Sequence, residues 1–287
     1  MNQPLWMPKR RIEVAFRRAL LDISKGIVMR VGETSDPAII TATLEHLSRS
    51  PDFIQLAESI AMKMVTGLFD DTGRTWREAA RKNGRGREIY QSLQKELLGA
   101  RGERIRALVK ENADLISTLP KNIADDVTAY VARETMKGRR SSDIADEIRR
   151  MFPKKTKACA QLIARTQVSM TQTNLVQARA EDLGLDWYVW RACGGNQGDG
   201  RTRSSHKHMS GVLINWNDPP APEDLFPLRR VDGTPYNNTL GHYHAGCCPN
   251  CRCYPEPVVD LDVLQFPMRV YRNGHIERIS RKQFERR

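Results

Sequence analysis

The chain has 287 residues, 40% of them hydrophobic and 7% aromatic, and a formal net charge of +12. This length suffices for one large or two ordinary domains with a sizeable core. No stretch approaches the roughly 18 continuous apolar residues that a membrane span needs, so we expect a soluble protein. The first residues lack the charged, apolar and small-residue order of a secretory signal, which predicts cysteines kept in a reducing cytoplasm.

The excess positive charge lies at the two ends of the chain. Residues 1–110 carry a net +7 and residues 266–287 a net +5, whereas residues 111–265 are neutral. Basic flanks suit contact with phosphates or with an acidic protein surface, and a merely solvated face explains the charge equally well. The weak candidates for nucleic-acid contact are Arg10, Arg11, Arg17, Arg18, Arg281, Lys282, Arg286 and Arg287.

Helices are predicted for the first third of the chain. Apolar residues between Arg11 and Met29 recur at spacings of three and four, which indicates an amphipathic helix. Ser35-Asp36-Pro37 and Ser50-Pro51 each place a capping side chain beside a proline that fits a first turn. Two further helices are therefore expected near 37–49 and 51–69.

The following basic stretch and residues 111–183 keep a helical period. Asn83, Gly84 and Gly86 predict a break between helices. Gly138 is a plausible helix stop, after which helices are expected at 143–151 and 154–181. The last of these has a polar but weakly charged face in the segment ARTQVSMTQTN, which we interpret as packed against the next domain rather than as a partner surface.

Strand signals begin at Leu185. The aromatic and β-branched segments LDWYVWRA and SGVLINW predict two strands around a glycine-rich loop. Prolines and asparagines then make residues 217–243 a long irregular excursion, which needs an anchor or a function. Asn273-Gly274 between two alternating stretches predicts a β-hairpin, and the basic residues after it form a terminal turn or a mobile tail.

Residues 241–258, GHYHAGCCPNCRCYPEPV, hold four of the six cysteines. Cys248, Cys251 and Cys253 form a C-x-x-C-x-C run that can bring three thiolates to one point, as a tetrahedral zinc site needs. His206 is the nearest upstream candidate with a recognisable context for the fourth position. Free or disulfide-bonded thiols are the alternative, although a reducing compartment favours metal.

Other residues compete for roles at this site. His208, His242 and His244 are each an alternative to His206. In the segment DGRTRSSH, Asp199 is placed either to brace the loop with Arg201 and Thr202 or to accept a hydrogen bond from the ring nitrogen of His206 that does not bind metal.

A shell filled by three cysteines and a histidine is structural, because catalytic zinc keeps a position open for water. The zinc-deaminase pattern fails, since proline lies inside the C-x-x-C and no H-x-E exists. A metal-dependent DNA-processing nuclease or hydrolase using His206, or His244 with Asn250, is an alternative function. A zinc-containing nucleic-acid-binding regulator is another. We favour a non-enzymatic role.

The order of IARTQVSMTQTN, a strand, DGRTRSSH, SGV and CPNCRC followed by P-x-P resembles the phage Mu protein F-like family of minor head proteins, over roughly residues 111–258. The family's Asp-x-Arg-Thr-x-x-x-His segment falls on Asp199, Arg201, Thr202 and His206. Its His-Pro-Asn-Cys-Arg-Cys segment falls on residues 248–253, with cysteine here in place of the usual histidine at 248. Both residue types ligate zinc, so this exchange favours a metal ligand at 248, with Cys247 as the alternative.

The resemblance implies a minor head (head morphogenesis) protein of a tailed phage or prophage, present in few copies. Its implied partners are the portal protein, scaffold or major capsid protein, and double-stranded DNA bound non-specifically, with no membrane and no small-molecule substrate. The implied location is the interior of the virion head, and the host cytoplasm during assembly. Some relatives carry a toxin domain at this end, but the 29 residues after Val258 are too few for one.

The expected fold is mainly α with a small α+β C-terminal domain stapled by a Cys/His zinc site. Four parts are expected: a basic helical region 1–110, a helical part 111–183, the zinc-stapled domain 184–262, and a basic hairpin and tail 263–287.

Overall fold

The computed structural model describes residues 4–32, 34, 36–82, 85–94, 100–195, 198–227 and 240–285. It is mainly helical, at 66%, with a small mixed sheet near the C-terminus, which confirms that part of the expected fold. None of the helices among the described residues combines the length and apolar character needed to cross a membrane. The elements in chain order are α1 Arg10–Val31, α2 Pro37–Arg49, α3 Pro51–Arg81, α4 Gly86–Gln94, α5 Ala100–Ser117, α6 Leu119–Met136, α7 Ser141–Asp182, β1 Trp187–Arg191, α8 Ser204–Met209, β2 Val212–Asn215, α9 Pro222–Leu225, β3 Tyr254–Pro257, β4 Met268–Arg272, β5 His275–Ile279 and α10 Arg281–Glu285.

The chain divides into two compact units. The helical unit comprises Arg10–Gly67 and Glu103–Gln167. The sheet unit comprises Met1–Lys9, Leu68–Gly102 and Val168–Arg287. The finer four-part division expected from the sequence remains a prediction.

The first helices begin where local signals place them. Asp36 Oδ1 accepts a hydrogen bond from the backbone N–H of Ala38 at 2.9 Å, and Pro37 occupies the first turn of α2. The start of α3 at Pro51 is as predicted, but α3 continues to Arg81 instead of ending near residue 69. The reason is a stripe of buried residues at helical spacing: Phe53, Ala57, Ala61, Met64, Leu68, Trp76, Ala79 and Ala80. Ser35, Asn83 and Gly84 lie outside the described residues.

The two helices expected at 143–151 and 154–181 are a single helix, α7, with Pro153 in its interior. A proline there removes one backbone hydrogen bond and costs about 3 kcal/mol. The helix nevertheless continues, because buried residues recur at intervals of four on both sides of Pro153. The free energy gained by burying these side chains outweighs the cost of the proline. This buried stripe consists of Ile144, Ile148, Phe152, Thr156, Ala160 and Ala164.

The core of the helical unit is an interlocked set of aliphatic side chains. Leu20 of α1, Leu44 of α2 and Ile116 of α5 are completely buried. Helices α2 and α6 lie against each other, and the hydroxyl oxygens of Thr41 and Thr128 are 3.5 Å apart. Apolar burial between helices is thus the main stabilising interaction of this unit.

The sheet unit contains a five-stranded sheet in the order β3-β1-β2-β4-β5. Only the β2–β4 pair is parallel, and the other neighbours are antiparallel. Alternate residues of β1 enter different apolar clusters: Tyr188 and Trp190 pack in one, and Val189 packs in the other with Phe284 of α10. Both faces of the sheet are therefore covered, and the first cluster also contains the cysteines of residues 248–253.

Two local predictions near the C-terminus are resolved by the structure. Asn273 and Gly274 both have positive φ, 49° and 81°, as the tight turn between β4 and β5 requires, so the predicted hairpin is confirmed. The basic segment after the hairpin forms α10 as far as Glu285. The irregular excursion 217–243 contains α9, and its residues 228–239 lie outside the described part of the chain.

Candidate metal centre

The structure brings the imidazole of His206 together with three thiols. His206 lies on α8, and the cysteines lie on the loop before β3, yet all four side chains are 2–3% exposed. Cys251 Sγ and Cys253 Sγ are 3.5 and 3.4 Å from His206 Nδ1, and Cys248 Sγ is 3.8 Å from Nε2. The donor atoms of His206, Cys248 and Cys251 all lie within 4.8 Å of one another, so this group could hold a metal ion.

The donor types and spacings suit a tetrahedral thiophilic ion. With metal–sulfur bonds of about 2.3 Å and a metal–nitrogen bond of about 2.0 Å, tetrahedral geometry separates nitrogen from sulfur by roughly 3.5 Å. The distances from Nδ1 to Cys251 and Cys253 match this edge. Nδ1 is therefore the ring nitrogen that suits a metal, which leaves Nε2 for a hydrogen bond.

The Nε2 atom of His206 meets a tyrosine and a carboxylate that sequence reasoning missed. Tyr243 Oη is 2.9 Å from Nε2 and donates a 2.6 Å hydrogen bond to Glu223 Oε2. The other oxygen of Glu223 is 3.5 Å from Nε2 and accepts a hydrogen bond from Ser205 at 3.2 Å. A carboxylate behind a metal-binding imidazole fixes the orientation of the ring, and Glu223 has that position here.

The pKa values of His206 and Glu223 show which charge the surroundings of the imidazole favour. Burial alone would raise the pKa of Glu223, but hydrogen bonds from His206 and Tyr243 hold it at about 2. Burial alone would lower the pKa of His206, but contacts with Cys248, Cys251 and Glu223 outweigh it and raise that pKa to about 11. The site therefore favours a positive charge beside the sulfurs.

The thiol of Cys248 is hard to ionise without such a charge. The hydrogen bond with Cys251, and then burial, raise the pKa of Cys248 well above its ordinary range. Metal binding to this site must consequently displace protons from thiols, and it will weaken as the pH falls.

Asp199 and Thr202 form hydrogen bonds within their own loop, and Arg201 takes part through its backbone N–H. Asp199 Oδ1 accepts hydrogen bonds from the Thr202 hydroxyl at 2.9 Å and from the backbone N–H of Arg201 at 3.0 Å. Thr202 Oγ1 also donates to the carbonyl of Cys193 at 3.0 Å. The sequence allowed Asp199 to accept a hydrogen bond from His206, but the groups beside Nε2 of His206 are Tyr243 and Glu223 instead. The arginine of this segment that reaches the cysteines is Arg203, which donates from Nη1 to Cys248 Sγ and from Nη2 to the carbonyl of Pro249, both at 3.0 Å.

The polar face of α7 holds the cysteine loop from beneath. Ser169 Oγ donates to the carbonyl of Cys251 at 2.9 Å, and Thr173 Oγ1 donates to the carbonyl of Ala245 at 2.7 Å. Gly246 has a φ of 91°, and a Cβ there would lie only 2.7 Å from Thr173 Oγ1. The loop therefore approaches the helix so closely that only glycine fits at this position. This packing explains the polar, weakly charged pattern of the ARTQVSMTQTN segment.

The other histidines of the region have separate contacts. His244 Nδ1 is 3.1 Å from Tyr188 Oη, its ring lies edge-on to Trp216, and burial lowers its pKa to about 4. His208 Nδ1 is 2.8 Å from the carbonyl of Ser204, and its ring stacks on Phe226. His242 Nδ1 is 2.7 Å from the carbonyl of Pro219. Cys247 is partly buried against the same apolar cluster.

The candidate nucleic-acid contacts fall into three groups. On α1, Arg10, Arg11 and Arg18 are exposed and Arg17 is partly buried. In α10, Lys282 is exposed, whereas Arg281 forms ion pairs with Asp262 at 2.5 Å and with Glu285 at 2.6 Å. Arg286 and Arg287 lie outside the described residues.

Part of this chain, including the residues of the candidate metal centre, is similar to known proteins. Residues 125–255 match the family described as phage Mu protein F like protein. A protein of Haemophilus influenzae strain Rd, described as an uncharacterized protein, is 31% identical over 158 residues. That match covers 55% of this chain and only 30% of the relative, so the chain spans less than a third of the relative's length. No solved structure matches.

Proposed function

We propose, from the match of residues 125–255 to the phage Mu protein F-like family, that this chain is a minor head protein of a tailed phage or prophage, acting in head morphogenesis. The family match is the observation that carries the proposal, and it spans His206, the cysteine loop and the face of α7 beneath that loop. The protein then acts in the host cytoplasm during assembly and resides in the head of the virion.

The proposed partners are the portal protein, with scaffold or major capsid protein beside it, and packaged or ejected DNA. The exposed arginines of α1 and the net charge of +7 over residues 1–110 support a phosphate-facing surface. Arg281 is a weaker candidate, because its guanidinium is already paired with two carboxylates. Contact with DNA is proposed to be non-specific.

We further propose that the metal centre holds zinc through His206, Cys248, Cys251 and Cys253. Four soft donors buried at 2–3% exposure leave no position where a substrate or water would bind the ion. The ion would supply positive charge that stabilises the thiolates and would tie α8 to the cysteine loop. This arrangement supports a structural role and not catalysis.

The assembly role is tested in cells that produce the phage or prophage heads. Heads purified from cells carrying the tagged full chain should contain it in few copies, and cross-linking should join it to the portal protein. Deletion of its gene should leave heads that fail to mature or to deliver DNA. Normal infectious heads from the deletion strain, with no tagged protein in wild-type heads, would refute the proposal.

The DNA proposal is tested separately with a duplex of arbitrary sequence. Four phosphate contacts would weaken binding roughly 100-fold between 50 and 200 mM salt. Changing Arg10, Arg11, Arg17 and Arg18 to Gln should remove most of the binding. Arg139→Gln is the matched control, because that guanidinium is paired with Glu134 at 3.1 Å. Equal loss in the control, or no binding by the wild type at low salt, contradicts this proposal.

A further inference from the structure

We propose that Arg203 is the charge-balancing residue of the metal centre, whose guanidinium offsets the negative charge that three thiolates leave on a bound divalent ion and so slows metal loss. The inference rests on the zinc site proposed above. It assigns a role to an arginine that lies inside the DGRTRSSH segment but outside the set of ligands and loop-bracing residues described there.

The geometry places this guanidinium against a ligand atom. Nη1 is 3.0 Å from Cys248 Sγ, and Nη2 is 3.0 Å from the carbonyl oxygen of Pro249, the next residue. Cys248 is 2% exposed and Arg203 is partly buried, so the contact with the sulfur is partly shielded from water. Arg203 immediately precedes α8, which carries His206 three residues further on. One side chain thus joins the two segments that supply the ligands.

The charges explain why a cation is needed there. Three thiolates and a divalent ion sum to a charge of −1, and the Glu223 carboxylate behind His206 adds to the negative field. A buried charge without a partner is strongly unfavourable, and a charge-assisted hydrogen bond to the sulfur offsets it. The rigid fork of a guanidinium reaches a sulfur and a carbonyl at once, which the point charge of lysine does not.

The competing explanation is mechanical, since the bond to Pro249 would hold the loop whatever the charge of the ligands. The two roles separate when Cys248 is replaced by histidine. A neutral imidazole can still ligate zinc, but the shell then has two thiolates and no net charge with a divalent ion. A charge-balancing arginine loses its importance in that background, whereas a mechanical one keeps it.

The experiment measures zinc transfer from the zinc-loaded full chain to a chromophoric chelator. Arg203→Met should weaken zinc retention by about 10- to 100-fold, the range found when outer-shell partners of metal ligands are removed, and Arg203→Lys should recover only part of it. In Cys248→His protein the same Arg203→Met change should alter retention less than about threefold. Arg201→Met is the matched control, because it removes an exposed arginine from the same loop and should leave retention unchanged.

A second measurement does not depend on the Cys248→His variant folding. In cobalt-substituted protein, Arg203→Met should move the sulfur-to-cobalt charge-transfer band to lower energy, since a hydrogen bond stabilises the sulfur lone pair. If Arg203→Met keeps the zinc retention and the band position of the wild type, the inference is wrong and the zinc site still stands. The same conclusion follows if Arg203→Met lowers zinc retention equally in the wild-type and Cys248→His proteins. A wild-type protein that holds no zinc would overturn the site and the inference together.

Discussion

Different interactions stabilise the interior of the helical unit and the interior of the sheet unit. In the helical unit, long amphipathic helices bury continuous stripes that are mainly apolar, and most of the completely buried residues described there are aliphatic, such as Leu20 and Leu44. In the sheet unit, strands of four or five residues contribute to a cluster that includes three thiols, and the His206 imidazole contacts Trp190 of that cluster. That cluster also buries large aromatic side chains completely, such as Trp76, Tyr188 and Trp190. What distinguishes the sheet unit is that the proposed cation, and hydrogen bonds to the loop carbonyls, would stabilise its cysteine loop in addition. The first unit should therefore tolerate loss of metal, and the second should not.

The largest expected effect is removal of zinc. Structural zinc contributes on the order of 10 kcal/mol in small domains, comparable with the whole stability of about 5–15 kcal/mol of a typical domain. A chelator, or Cys251→Ser, should thus abolish hydrogen-exchange protection in the sheet unit and leave the protection of the helical unit largely unchanged. Cys159→Ser, at a partly buried thiol of the helical unit, is the control and should behave like the wild type. If metal analysis finds no zinc in freshly prepared reduced protein, the proposal that zinc stabilises the sheet unit is wrong.

The reverse experiment places the defect in the helical unit. Leu44 of α2 is completely buried, so Leu44→Ala should cost about 2–5 kcal/mol in the free energy of unfolding of that unit, measured by denaturant titration. Zinc content should remain at the wild-type level. Leu162→Ala, at a leucine that is 40% exposed, should cost far less. A loss of bound zinc in Leu44→Ala would show that the two units are not stabilised separately.

Gly246→Ala tests the close contact between α7 and the cysteine loop. A positive φ costs a residue with a side chain roughly 1–2 kcal/mol, and crowding against Thr173 Oγ1 at 2.7 Å adds a comparable penalty. Gly184→Ala is the matched control, since Gly184 has a φ of 63° and no atom within 4 Å of its added Cβ. Thermal unfolding should show the Gly246 variant to be the less stable of the two by about 1–3 kcal/mol. Equal losses would mean that the loop can move away from the helix.

Local signals account for the parts of the fold that were predicted correctly. Pro37 and Pro51 start helices because a first turn tolerates proline, and Asn273-Gly274 turns a hairpin because both residues accept positive φ. The gathering of His206 with Cys248 and Cys251 was accessible from ligand chemistry, because few residue types bind a soft ion. None of these inferences required knowledge of a distant contact.

The errors and omissions arise where distant contacts decide. Pro153 is an ordinary helix-breaking signal, and only the buried stripe on both sides of it shows why α7 continues. Glu223 lies 17 residues from His206 in a proline-rich segment, and nothing in that segment indicates a carboxylate behind an imidazole. The bonds from Ser169 and Thr173 reach loop carbonyls more than 70 residues away in sequence. A side chain's donor capacity is visible in a sequence, but its acceptor is not.

The smallest expected effect concerns a charged cluster of the helical unit, where no metal is proposed. Hydrogen bonds from Lys137 and Arg139, and a weaker one from Arg133, hold the pKa of Glu134 at about 2, below its ordinary value of 4.5. A carboxylate with a lowered pKa stabilises the folded state fully above pH 4.5, and this contribution is lost as the pH falls through about 2. Wild type should therefore exceed Glu134→Gln in unfolding free energy at neutral pH, with the gap closing between pH 4.5 and 2.

The size of that gap is limited by its surroundings. The side chains of Arg133, Lys137 and Arg139 are 37–60% exposed, so solvent screens the pairs. High salt should narrow the gap at neutral pH, whereas a gap that is independent of both salt and pH would point to lost packing of the side chain instead.

Because zinc release from the sheet unit also follows acidification, the two processes must be followed by separate probes. Hydrogen exchange of amides in the helical unit reports the loss of the Glu134 contribution, and the absorbance of a chelator reports the release of zinc. Acid should remove the metal from the sheet unit before the Glu134 cluster loses its charge, since thiolates bind protons far more readily than this carboxylate does.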